Sequence, residues 1–405
     1  MINAAKNRNI ALQMLNPSAK DLEHGLELHK NSLVFDAYGF MPLCGGRSAR
    51  EEELIAAGAS RDELHYADEM HHMVEGFHDP QIRKLLKETW EYGGVDCIFQ
   101  NCGEESNDVE RLIKRLGNYT RTIDYCTEVY ERCSFPEKLE EIRARGNKAL
   151  YITTNGVPIS SKFVSADENL HLVESFFNLG VRMMHLTYNR RNLMGDGCAE
   201  AANAGLSDFG RMAIAEMNRV GVIPDVAHSG QQTSLEAALC SKKPVVASHS
   251  TAGKFSTHYR AKCDEVIEAI KKTNGYIGIC CYPTFLQGKK ISMLSSIIST
   301  MWQRPSVWIM LPSVPTGVPP CLNMSGVKIC PKTARSGNST GSLPVQETMR
   351  LRISVHLPGP TGRSSLWDLS CADTLTATFR RSSAAMSCVS ARKLWRNSSK
   401  TGSAA

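Results

Sequence analysis

The chain has 405 residues, 42% of them hydrophobic, with 14 cysteines and a formal net charge of +6. That length and apolar content are enough for a full enzyme-sized core, and they exclude a disulfide-stapled miniprotein or a charge-dominated disordered chain. The charge total hides a split: residues 1–290 carry a net of −4, whereas residues 291–405 hold 13 basic and three acidic residues (Glu347, Asp368, Asp373), a net of +10.

Taken in chain order, Ser18–Lys30 is spaced as a helix and Ser32–Ala37 as a first strand. Glu51–Glu75 and Asp79–Trp90 read as helices, with Pro80 near the start of the second. Gly94–Gln100 is a second strand, and Asp108–Cys126 and Pro136–Arg145 are outer helices. Further strands are expected at Lys148–Thr154, Val181–Thr187, Val222–His228, Pro244–His249 and Tyr276–Cys281. Strands alternating with amphipathic helices imply a parallel sheet with right-handed crossovers. The expected fold is therefore α/β, a (β/α)8 TIM-type barrel over residues 1–290, with its eighth strand missing or disrupted.

Two segments carry most of the chemistry: GLSDFGRMAIAEMNRVGVIPDVAHSG over Gly205–Gly230, and PVVASHSTA over Pro244–Ala252. Each ends an apolar run in a histidine, His228 and His249. A neutral imidazole at the end of a buried parallel strand is a good metal ligand, because the strand fixes the ring while the loop leaves the metal open. Asp225, three residues before His228, is placed to support it or simply to fill the strand interior. The group His65, His71, His72 and His78, with Asp68, Glu69 and Glu75, has helical spacing but lies in a strongly charged stretch, so a solvated helix over the barrel mouth is the expected reading. Gly45-Gly46 and Gly93-Gly94 lack the strand and helix context of a phosphate loop. The loop glycines Gly195 and Gly197 are expected to shape the pocket entrance.

The cysteines, such as Cys97, Cys102, Cys126 and Cys133, are scattered and read as reduced, buried thiols, while the adjacent Cys280 and Cys281 point to opposite faces of a strand. No stretch near 20 residues is apolar and Met1–Lys30 lacks a hydrophobic signal core, so the sequence points to a cytoplasmic protein with no membrane span. The basic tail has no cluster denser than Arg380-Arg381 or Arg392-Lys393, so nucleic acid is not an expected partner. A homodimer is compatible with the sequence.

Leu179-Gly180-Val181-Arg182, the following strand, GLSDFGR, MNRVGVIPDVAHSG and VVASHSTA together resemble the membrane dipeptidase (renal dipeptidase) family of zinc peptidases, over about residues 32–286. The resemblance implies that His228 and His249 bind one zinc of a two-zinc site. It also implies that Arg260, in STHYRAKCDEVIEAI, matches an arginine that pairs with the substrate carboxylate, as a bidentate guanidinium can. Other positions depart from the pattern. Tyr38 and Phe40 stand where the first strand of the family has a His-x-Asp metal motif, Asn155 replaces a bridging glutamate, and Tyr188 replaces a histidine that holds the tetrahedral intermediate. Tyr38, Asn155 and Tyr188 are left as hydrogen-bonding groups of a polar pocket.

The tail has its own reading. In the frame that joins the last base of each codon to the first two of the next, Met301-Trp302, Trp302-Gln303 and Trp308-Ile309 must encode Val, Ala and Asp. The remaining junctions permit NHIDYVAKTVGVDHVAIGTD across Ser296–Thr316, a helix and a buried strand ending in Asp that resembles the family's last barrel strand. Residues 291–405 are thus expected to be frameshifted or disordered, the rival being a genuine Ser-rich C-terminal domain. Two functions stand open. One is a metal-dependent dipeptidase-like hydrolase acting on dipeptides or similar small amides, with zinc on His228 and His249, Tyr188 and Asn155 as catalytic groups, and Arg260 and Tyr38 binding substrate. The other is a non-catalytic or altered-chemistry relative that binds a small amino-acid-like ligand with one metal ion or none.

Overall fold

The computed structural model describes residues 9, 12–13, 16–41, 46–103, 108–280 and 285, together with 364–368 and 378–382. The amino-terminal half is punctuated by side-chain caps. Ser18 accepts from the Asp21 amide and starts helix α1 (Ala19–Asn31). Ser48 and Ser60 each form a reciprocal capping box, with Glu51 in α2 (Ala49–Ala56) and with Glu63 in α3 (Arg61–Met73). The single helix expected over Glu51–Glu75 is therefore two, because each Ser-x-x-Glu box sets its own start and Gly58, at φ +72°, turns the chain between them. Asp79 caps α4 (Pro80–Gly93), with Pro80 in the first turn, where its missing N–H costs nothing.

Strands β1 (Phe35–Gly39), β2 (Cys97–Asn101), β4 (Lys148–Thr154), β5 (Val181–His185) and β6 (Ile223–Asp225) pair in parallel in that order. The parallel bridge between Asp225 and Val246 carries the sheet on to β7 (Ala247–Ala252), which pairs in parallel with β9 (Ile277–Ile279). These are the seven strands expected from the sequence, in the expected order. Their ends differ by a few residues, most at β7, which runs on past His249. Two short strands were not foreseen: β3 (Tyr130–Arg132), beside the first half of β4, and β8 (Ala261–Lys262), beside the end of β7.

The outer layer is formed by helices α5 (Val109–Tyr125), α6 (Glu137–Ala144), α7 (Ala166–Asn178), α8 (Asp208–Val220), α9 (Gln231–Cys240) and α10 (Asp264–Lys272). The strands are buried on both faces, as a sheet under helices requires. The parallel sheet curls so far that Tyr38 on β1 stacks on His249 on β7 with ring centroids 3.8 Å apart. Among the described residues β1 pairs only with β2 and β9 only with β7, so the curl is an incomplete barrel. The eighth strand expected near Ser296–Thr316 lies outside the described residues. Within the tail, β10 (Ser364–Asp368) and β11 (Thr378–Ser382) pair antiparallel in a sheet of their own.

Inside the curl, Phe35, Phe99 and Tyr151 pack with ring centroids 5.3–5.9 Å apart, joined by Met183, Ile223, Val246 and Tyr276. Side chains alternate along a strand. One step on from Met183, Ile223 and Val246 toward the carboxyl ends therefore come His185, Asp225 and Ser248, all fully buried. Gly278 lets β9 close on this layer, since a Cβ there would sit 1.8 Å from the Ser248 carbonyl oxygen.

Candidate metal centre

That polar layer is the floor of a site. His185 ends β5, His228 lies three residues beyond β6 and His249 sits within β7. Their candidate ligand nitrogens all lie within 4.8 Å of one another, and all three residues are buried. Among the described residues, this is the one group of His, Cys, Asp and Glu side chains placed to hold a metal ion.

The hydrogen bonds fix which nitrogen of each ring is free. Asp225 is the anchor: Oδ1 accepts from the amides of Ala227 at 2.8 Å and Ser248 at 3.1 Å, and Oδ2 accepts the Ser248 hydroxyl. With its proton committed to that carboxylate, Ser248 Oγ must accept from His249 Nδ1, 2.9 Å away. His228 Nδ1 is 2.8 Å from Asn189 Oδ1 and donates to it. Asn189 has φ +59°, a left-handed conformation that Asn tolerates and that brings its side chain to the ring. His185 Nδ1 donates to the Thr154 carbonyl oxygen at 3.0 Å. All three Nε2 atoms are left with bare lone pairs.

Two of these lone pairs face each other: His228 Nε2 and His249 Nε2 are 2.9 Å apart, and with both protons on Nδ1 neither can donate. The third, His185 Nε2, is 3.2 Å from Asp225 Oδ2, but the angles make no hydrogen bond and the atom is a buried polar group without a partner. Orphaned nitrogens of this kind are costly unless a cation takes them up. Burial holds the His228 and His249 imidazoles well below their ordinary range, the Arg260 guanidinium adding to it, and lowers His185 too, with Asp225 opposing. Neutral imidazoles with Nδ1 tied back by oxygens suit a divalent metal.

The other candidates from the sequence gather at the same mouth. Tyr38 hydroxyl donates to Asn155 Oδ1 at 2.7 Å, so these two candidates bind each other. Gly103 permits this, since a Cβ there would meet the Asn155 amide nitrogen at 2.2 Å. Burial raises the Tyr38 phenol well above its ordinary range, which keeps the proton for that bond. Tyr188 stacks on His228 with centroids 3.9 Å apart, as Tyr38 does on His249. Arg260 is buried and donates from Nε to the Ala227 carbonyl at 2.8 Å and from Nη2 to the His249 carbonyl at 2.7 Å, tying together the segments that carry His228 and His249. Lys262 is fully buried, donates to Ser229 O at 2.6 Å and Ser234 Oγ at 2.9 Å, and is pushed down to about 7 by burial.

The histidines of the amino-terminal helices do not converge. His72 lies between Asp68 and the Gly46 carbonyl, each 3.1 Å away, and His78 packs on Tyr125. Sequence reasoning missed His185 and Asn189. His185 obeys the rule that found the other two, an apolar strand ending in histidine.

The profile of the membrane dipeptidase family (Peptidase family M19) matches residues 53–302. The chain belongs to this family. The match begins after β1, covers the rest of the expected barrel and ends at residue 302, so it leaves most of the basic tail uncovered. Membership places the histidine group in a metal-dependent family of peptidases.

Among curated relatives of this membrane dipeptidase family member, an uncharacterized dipeptidase of Schizosaccharomyces pombe is 35% identical over 117 residues, 28% of this chain and 29% of that protein. Dipeptidase tcpJ of Claviceps purpurea is 25% identical over 279 residues, 62% of this chain and 64% of that protein. The chain thus spans less than two thirds of the length of these relatives. Among solved structures, an amidohydrolase from Pseudomonas aeruginosa matches with a TM-score of 0.55 at 23% identity, covering 71% of this chain and 76% of that one. A metallo peptidase from Rhodobacter sphaeroides, liganded with a phosphinate mimic of the dipeptide L-Ala-D-Ala, matches with a TM-score of 0.52 at 17% identity, covering 71% and 88%. At these identities the likeness establishes the barrel architecture. Among the described residues no helix is long and apolar enough to cross a membrane.

Proposed function

We propose that this site hydrolyses a dipeptide or a similar small amide, with zinc as the metal. The observation that carries the reading is the facing pair of bare imidazole nitrogens of His228 and His249, 2.9 Å apart, in a chain of this family. Zinc held there supplies a Lewis acid and a water of lowered pKa. The remaining work falls to the chain. Asp225, through Ser248, keeps the His249 lone pair aimed into the site, and Asn189 does the same for His228. Arg260 uses Nε and Nη2 on backbone carbonyls, and Nη1 makes no hydrogen bond among the described residues, so it is the group to receive a substrate carboxylate, with Tyr38 beside it. Asn155 and Tyr188 are the hydrogen-bonding groups proposed to hold the attacked carbonyl oxygen. A cytoplasmic setting is the compartment that eight free cysteines among the described residues support.

The Tyr38–Asn155 hydrogen bond favours a second reading, in which the pocket binds a small amino-acid-like ligand and does not turn it over. Both are tested together by measuring zinc content, dipeptide hydrolysis and dipeptide binding on the same protein. Zinc-dependent, chelator-sensitive hydrolysis establishes the peptidase; saturable binding of intact dipeptide without hydrolysis establishes the binder; neither activity nor binding removes both.

A further inference from the structure

We infer that this protein binds a single divalent metal ion through three imidazoles, those of His185, His228 and His249, and that it has no second metal site at Tyr38 and Asn155. The inference rests on the metal-site part of the reading above and not on hydrolysis. Its first support is directional. All three rings have Nδ1 committed to a neighbouring oxygen, from Thr154, Asn189 and Ser248, which leaves three Nε2 donors in one buried cluster. Nitrogens bound to one zinc at ~2.0–2.1 Å lie about 3.4 Å apart in a tetrahedral site. His228 Nε2 and His249 Nε2 are 2.9 Å apart, and one candidate ligand nitrogen from each of the three rings lies within 4.8 Å of the others, a spread that brackets that value.

The second support is His185 itself. Its Nε2 has no hydrogen-bond partner although it is fully buried, and a buried imidazole nitrogen facing a carboxylate at 3.2 Å with no proton between them is unfavourable. A cation beside that nitrogen satisfies it, and the Asp225 carboxylate then offsets part of the added charge. The third support is the neutrality of the opposite side. The Tyr38 hydroxyl donates a hydrogen bond to Asn155 Oδ1, so the amide oxygen is used and the protonated phenol remains a weak ligand. With Arg260 and Lys262 also buried near the histidines, neither Tyr38 nor Asn155 brings a negative charge to balance a second dication there. His185 thus supplies a third nitrogen on a side where Tyr38 and Asn155 offer no charged ligand.

The test is cobalt titration of the metal-free protein, read by metal content and visible absorption, with X-ray absorption counting the imidazoles. The expected result is about one equivalent per chain with the intense bands of a four-coordinate site and about three imidazoles. His185→Ala should weaken cobalt binding by at least ~30-fold, and His185→Gln, which keeps the volume, should weaken it similarly while leaving the thermal melt in place. Two equivalents, or a site with two imidazoles, overturns the inference, as does unchanged affinity in His185→Gln. Because the readout is binding, a chain that takes up one cobalt through His185 but leaves dipeptides intact sinks the peptidase and keeps the site. Hydrolysis that survives His185→Gln with full metal content does the reverse.

Discussion

The two sides of the barrel mouth solve the same problem differently. On the side of β5, β6 and β7, each histidine is oriented through Nδ1: Asp225 holds Ser248 and Ser248 holds His249, Asn189 holds His228, and the Thr154 carbonyl holds His185. On the side of β1 and β4, the Tyr38 hydroxyl and Asn155 Oδ1 close on each other. The first arrangement ends in unpaired nitrogens and the second in a satisfied hydrogen bond. A candidate metal site can therefore be recognised by where the hydrogen-bond accounting fails.

The largest expected effect lies on the histidine side, where Lys262 is buried whole. Its pKa of about 7 lies below the ordinary 10.5 because the buried pocket disfavours the ammonium. Between these values the unfolded chain binds a proton that the folded chain does not, so stability rises with pH by up to ~1.4 kcal/mol per pH unit, about 5 kcal/mol over the window. Below about 7 both states are protonated and the cost is constant. Urea midpoints from pH 6 to pH 10 should show this rise, and Lys262→Met should flatten it. A flat wild-type profile would mean that Lys262 keeps its charge through a partner.

Next comes the metal contrast. His228→Ala should weaken zinc binding by more than ~100-fold, whereas Asn155→Ala should change it by less than about threefold. Equal losses, measured by competition with a chromophoric chelator, would erase the distinction between the two sides. Asp225→Asn is milder, since all three rings remain. An amide cannot accept at Oδ2 in the same way, so the Ser248 hydroxyl is freed to turn its proton on His249 Nδ1 and the tautomer is lost. The expected cost is ~10–100-fold in zinc affinity. An unchanged affinity would show that the carboxylate only fills the strand interior.

Much of this was legible in the sequence, for physical reasons that also mark its limits. The seven strands could be ordered because each is a short apolar run between helical periods, and a parallel sheet buries both faces of such runs. His228 and His249 stood out because polar rings end those runs. His185 follows Val181–Met184 in the same way, but the comparison with the family drew attention to Tyr188, three residues on. Asn189 was beyond reach, since its bond to His228 spans 39 positions and depends on a left-handed backbone that no local pattern announces. The split of Glu51–Glu75 into two helices was in the text as two Ser-x-x-Glu boxes, outweighed by the run of charge and helical spacing.

The smallest expected effect separates the two sides most cleanly. Tyr38→Phe keeps the ring that stacks on His249 and deletes only the hydroxyl that reaches Asn155. Asn155 Oδ1 then loses its donor in a buried place, while Nδ2 keeps its long 3.4 Å contact with the Gly103 carbonyl. A buried acceptor stripped of its partner costs about 1–2 kcal/mol, which should lower the midpoint of thermal unfolding by a few degrees. Zinc affinity should stay within about twofold, because no imidazole is held by that hydroxyl. A large fall in zinc binding with no loss of stability would make the phenol a participant in the metal site, and the two sides of the mouth would then be one.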